Sequence, residues 1–325
     1  MSDNIHGGSN DGTLPVIATD DVAGVHFEKV KLDIGQRVAA IGGLELYVQE
    51  AWMSYIVSLG KASEGKVKLL VQAGRMESKL GVEKMDPEEN AFLNYSILKS
   101  GLPTSGIGAR ANLSAMGDSL QLALALLNGD DNVYSGGGGM VEDLNNAKSV
   151  ELMGSYKHKF TGSSNPTLKG QLGLYFGAEG AANTADKTII LDLIAQGGLE
   201  VSAKKLEVSL ECVIGRSANS TPAGEDWKSL AATVTYAAHQ KVDLGLRVEY
   251  TKTEGGSAIL GDTDLFSIAL NLTAKLSADG NLKGIVEFRH DYSSEGAFPT
   301  DDSTTTGQMS EDSQDTLTLA ALLAF

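Results

Sequence analysis

Charged side chains recur at every second position along stretches whose alternate positions are apolar. Arg110, Glu151, Lys157, Lys169, Glu179, Asp192, Glu200, Glu207, Glu211, Asp243, Arg247, Glu249, Lys275, Glu287 and Arg289 all fall on such rows. A period of two sends successive side chains to opposite faces of a strand, so these groups share one surface. Carboxylates mixed with ammonium and guanidinium groups on one wall hold water and set up a field across it. The acidic excess predicts a mild preference for cations. A second set, Arg75, Glu83, Asp86, Glu88 and Glu89, lies in or beside the irregular stretch 77–106, too long for an ordinary connection and a candidate to constrict a channel.

Covalent and metal chemistry has no comparable pattern. The chain has no HExxH, no Cys/His cluster, no Gly-x-Ser-x-Gly elbow and no Walker loop. His6, His26, His158, His239 and His290 are dispersed and read as surface or strand residues rather than ligands. The run SGGGG at 135–139 lacks the strand-to-helix setting of a phosphate cradle and reads as a loop tip. Asp301, Asp302, Glu311, Asp312 and Asp315 lack the compact spacing of a calcium loop and read as a solvated loop. Cys212, the single cysteine, follows Leu206, Val208 and Leu210 on an apolar face and reads as a small hydrophobe. No metal, cofactor or catalytic residue is expected, and the chain reads as non-enzymatic.

The elements that must position the charged rows are strands. Hydrophobic residues make up 42 %, yet no run approaches the roughly 18 to 20 apolar residues of a membrane helix. The 38 glycines and 6 prolines suit close-packed strands with short turns, and a net charge of −16 argues against a nucleic-acid partner. The last ten residues, TLTLAALLAF, set Leu317, Leu319, Ala321, Leu323 and Phe325 on one face. Rows of the same phase run back through 282–292, 264–276, 241–252, 228–239, 206–211, 189–201, 168–179, 150–160, 120–126 and 107–115. Earlier segments at 66–76, 44–60 and about 27–35 complete the set.

Connections alternate by parity. Those at 77–105, 129–148, 217–227, 253–263 and 293–315 are long, and 180–187 is moderate. Those at 60–65, 117–119, 161–167, 203–205, 239–241 and 277–281 are short. Outer-membrane barrels sort their loops in this way, and soluble sandwiches have no reason to. The prediction is an all-β, antiparallel up-and-down transmembrane β-barrel of about fourteen strands, or twelve if the first two segments belong to a leader or plug. A barrel that wide cannot fill its interior with the side chains present, so the apolar rows face outward to membrane lipid. Small hydrophilic solutes or ions are then the expected cargo. Tyr47, Trp52, Tyr55, Phe160, Phe176, Trp227, Tyr236, Tyr250, Phe288 and Phe325 are the candidates for a sparse aromatic girdle. Residues 1–24 read as a flexible leader, without the basic and apolar regions of a secretory signal, and 25–325 as one barrel domain.

Residues about 44–132 resemble the beta-barrel porin-2 family. The carrying segments are YVQEAWMSYI (47–56), QAGRMESKLGVEKMDPEENAFLNYSIL (72–98), GIGARA (106–111) and ALALLNGDDN (123–132), joined by the C-terminal strand. Gly74, Arg75, Gly81, Glu83, Asn90, Asn94, Tyr95 and Ser96 match that family's strand end and following loop. The resemblance implies an outer-membrane channel and leaves a monomer or a homo-oligomeric trimer open. Residues 20–35 also resemble the opening of small phage virion proteins. That supplies the alternative: a virion structural or decoration protein with a β-rich body and virion partners.

Overall fold

Period-two alternation dictates the secondary structure throughout. The computed structural model describes residues 14–15, 25–38, 44–59, 67–84, 89–128, 148–162, 165–179, 186–201, 204–218, 225–254, 262–277, 281–295, 298–299 and 309–323. Within them lie fourteen long strands. The first seven are β1 (Val25–Val38), β2 (Leu44–Leu59), β3 (Val67–Glu77), β4 (Ser105–Ala115), β5 (Leu120–Leu127), β6 (Ser149–Lys159) and β7 (Thr167–Glu179). The rest are β8 (Asp186–Val201), β9 (Lys204–Ala218), β10 (Glu225–His239), β11 (Val242–Glu254), β12 (Thr263–Lys275), β13 (Leu282–Ser293) and β14 (Ser313–Leu323).

Each strand pairs antiparallel with its neighbours in chain order, the up-and-down topology that the loop parity predicts. Register shifts occur only between β1 and β2 and near Ala237 between β10 and β11 within this sheet. Leu14 and Pro15 add a two-residue ladder to β1. Among the described residues no ladder joins β1 to β14. The rest of the leader at 1–24, the loop tip at 135–139, Asp301, Asp302 and Phe325 lie outside the described residues.

Exposure fixes which face is which. Leu319 is 69 % exposed and Leu230 53 %, whereas Glu287 and Asp192 are 0 % exposed. A soluble barrel inverts this order, so the apolar rows face lipid and the polar rows face the lumen, as predicted. Outward Tyr250, Phe266 and Tyr292 are consecutive cross-strand partners on β11, β12 and β13, forming one segment of an aromatic girdle near the loop end. Two of the expected girdle members do not belong to it. Trp52 packs inward on Met76, Ala125 and Leu127, and Trp227 on the cluster of Leu80, Leu98, Leu102, Tyr175, Ile190, Val213 and Ala231. Side-chain volume explains this: no Cβ on inward Gly215 obstructs the Trp227 ring, and one built there would lie 2.0 Å from it.

The segment that runs from the end of β3 to β4 curls the sheet. Glu77 N–H donates to Glu50 on β2, and Asn94 Nδ2 donates to Thr318 on β14. Laid flat, β2 and β14 stand about 58 Å apart. Arg247 touches both Glu83 and Asn94, so the chain doubles back between them. Six residues from 77 to 83 span at most about 21 Å. The sheet therefore wraps around the segment, with the loop inside.

Candidate functional site

The lumen is organised by hydrogen bonds from the backbone of 77–98 to carboxylates of the wall. Glu151 on β6 accepts from Ser78 Oγ at 2.6 Å and Lys79 N–H at 3.0 Å. Asp192 Oδ2 on β8 accepts from Gly81 N–H at 2.9 Å, and Glu211 on β9 from Val82 N–H at 3.3 Å. On β13, Glu287 accepts from Leu93 N–H at 2.7 Å and Asn94 Nδ2 at 2.9 Å; Glu249 on β11 accepts from Leu98 N–H at 3.4 Å. An irregular segment leaves its amides without ladder partners, and buried amides need acceptors. Carboxylates on the inward rows of five strands between β6 and β13 supply them, with the added strength of a charged acceptor.

Guanidinium groups hold the loop's carbonyls and the docked Glu83 carboxylate. Arg247 is 2 % exposed; its Nη1 donates to Glu83 Oε1 at 2.6 Å and its Nη2 to the Asn94 carbonyl at 2.9 Å. Its Nε lies 2.7 Å from Glu249 Oε1, and the Phe92 ring centroid is 4.6 Å from its central carbon. That ion pair is close but poorly aligned, since neither atom meets hydrogen-bond geometry. Arg110 donates to the Glu77 carbonyl at 2.6 Å and lies 3.3 Å from Glu151. Arg289 donates to the Tyr95 carbonyl and to Asp291, both at 2.7 Å. Leu80 enters a socket above Gly173, where an added Cβ would lie 2.1 Å from its methyl group. Lys79 sits half-buried on the loop; desolvation first, then the nearby Arg110 charge, holds its ammonium below the usual lysine range.

Among the described residues, no hydrogen bond or ion pair joins the remaining charged positions to the loop. Lys157 and Lys169 line a cavity of about 320 Å³ beside Glu207, Thr167, Gln196, Ser209, Thr233 and Thr235, on the short-turn side. Asp243 and Lys275 form a partly exposed pair at 3.4 Å, and Glu200 is exposed near its turn. The Glu179 side chain lies outside the described residues.

Of the constriction candidates, Glu83 is docked and Glu89 lines the cavity. Asp86 and Glu88 lie outside the described residues. Arg75 is a strand residue: it sits on β3 and its Nη2 donates to Ser105 Oγ at 3.4 Å. Sequence reasoning missed Glu50, Ser78 and Lys99. Lys99 is 5 % exposed and is the cation that acts on both Asp192 and Glu211, with no hydrogen-bond partner for its Nζ among the described residues. The available signal was the apolar content of a long loop: Leu80, Phe92, Leu98 and Leu102 had to be buried somewhere.

A curled up-and-down sheet, apolar outside and polar within, that carries one of its own loops in the lumen defines a β-barrel porin. The chain belongs to the family described as "Putative beta-barrel porin-2, OmpL-like", which it matches over residues 22–325. It is thus an outer-membrane porin, and the virion reading loses its support. The segment behind that reading falls inside the family match from residue 22 and includes the first eleven residues of β1. Among solved structures it is similar to the outer membrane channel DcaP of Acinetobacter baumannii, at TM-score 0.52 and 13 % identity, covering 92 % of this chain and 80 % of that one. It is also similar to a loop L8 deletion mutant of OmpT, an outer membrane protein of Vibrio cholerae, at TM-score 0.50 and 14 % identity, covering 91 % and 85 %. Likeness at that identity is a likeness of fold. No curated protein sequence matches.

Proposed function

We propose that this porin is a single barrel domain over 25–325, preceded by a leader, that passes small hydrophilic solutes by passive diffusion and performs no catalysis. The observation that carries this reading is the cavity of about 320 Å³ beneath the docked loop. Its walls hold hydroxyl, amide and charged groups, the lining that keeps water in a path through a low-dielectric slab. The charged rows named in the sequence are then a lining of two kinds, loop anchors and free groups.

A mild preference for cations rests on the net charge of −16 and on exposed Glu89 and Glu200, since the buried wall carboxylates already serve the loop and Glu207 is paired with Lys205. Reversal potential across a planar bilayer under a potassium chloride gradient tests both statements. The expected sign is that of cation selectivity; anion selectivity overturns the preference, and absence of conductance overturns the channel.

A further inference from the structure

Lys157 on β6 and Lys169 on β7 are direct cross-strand partners on the inward face. Like charges placed directly opposite destabilise a ladder, so a retained pair calls for a counter-charge. Among the described residues no carboxylate provides it: neither lysine takes part in an ion pair. The charges that act on Lys169 are those of Lys157 and of Lys84, a third cation brought in by the loop. Four carboxylates line the same cavity; Glu83 is held by Arg247, Glu211 by the Val82 amide and Glu207 by Lys205 at 2.8 Å, while Glu89 lies on the exposed side.

The two strand lysines open on the same cavity, whose further lining includes the Thr167 hydroxyl and the Gln196 amide. Both are neutral groups able to donate to an oxyanion. At about 320 Å³ the cavity has the size of a small-molecule pocket.

Building on the channel reading, we propose that Lys157 and Lys169 form an oxyanion subsite in the lumen, which holds the carboxylate or phosphate group of a small solute on its way through. The lysines supply the charge, Thr167 and Gln196 supply further donors, and the Glu207 side of the cavity stays open to the solute's neutral or cationic remainder. A local anion site coexists with a cation preference of the lumen as a whole, because mixed charge on one wall sets up a field across it.

The test compares the full chain, folded in detergent, with Lys157→Gln/Lys169→Gln. The midpoint of heat unfolding is read in sodium chloride, sodium phosphate and sodium acetate of matched ionic strength. Phosphate, acetate or both should raise the wild-type midpoint above its chloride value, and the arm with the larger rise identifies the phosphate-bearing or the carboxylate-bearing class. In the double variant the apparent affinity should fall tenfold or more, about the loss expected for charge-assisted hydrogen bonds. Its midpoint in chloride should not fall, since the change removes a repulsion. No rise with either anion, or an equal rise in the variant, overturns the subsite. Bilayer conductance separates the two proposals: a stabilised protein that never conducts refutes the channel alone, and a conducting protein without stabilisation refutes the subsite alone.

Discussion

Strand β9 carries two glutamates on its inward row. Glu211 is 6 % exposed and accepts a hydrogen bond from the Val82 amide. Four residues nearer the turn, Glu207 is 53 % exposed, and its partner Lys205 is equally open at 2.8 Å. Residue type, strand and phase are the same, yet the surroundings differ. At the height of the loop a carboxylate meets orphan backbone donors and becomes part of the fold. Below the loop it meets water and stays available to the lumen. The height of a charge along the barrel, more than its sign, decides whether it belongs to structure or to transport.

The strongest way to break this contrast is Arg247→Met. Removing the guanidinium strands Glu83 and Glu249 in a buried site, a loss of about 3 to 5 kcal/mol. The loop should undock, which lowers the heat-unfolding midpoint and raises single-channel conductance and its noise. Unchanged conductance would mean that the loop does not limit the path. Gly173→Val acts on packing instead: the new side chain occupies the socket of Leu80 and should cost about 1 to 3 kcal/mol in the same assay. A wild-type midpoint there would show that Leu80 is not seated on β7.

Lys79 sharpens the comparison through pH. Its ammonium is disfavoured when docked and keeps its ordinary range when the loop is released. Docking therefore bears its full penalty at neutral pH, and the penalty fades as pH rises through the lowered docked value towards 10.5. Channel noise should decrease over that window in the wild type and stay level in Lys79→Met; equal traces would place Lys79 in water. The smallest effect belongs to the open wall. Lys205→Ala should change stability by less than about 1 kcal/mol, because its pair with Glu207 is exposed. A larger loss in the heat-unfolding midpoint would erase the distinction between the two heights.

Much of this architecture is legible in the sequence. Alternation such as Leu206, Val208, Leu210 against Glu207, Ser209, Glu211 fixes strand and phase, and loop parity fixes the topology. The anchoring of the loop is not legible, because the donors are backbone amides of Lys79, Gly81, Val82 and Leu93, which no residue letter announces. The two tryptophans mislead for a related reason. Their inward placement depends on what faces them: Gly215 on the neighbouring strand for Trp227, and Ala125 and Leu127 three strands away for Trp52.

Trp52 and Trp227 are all the tryptophan the chain possesses, and both face the lumen. In most membrane proteins indole emission reports on the headgroup region, where that ring prefers to sit. Here it reports on the interior. Quenchers attached to acyl chains should scarcely dim it, while release of the loop should shift its colour, so the protein carries a built-in optical gauge of its own plug.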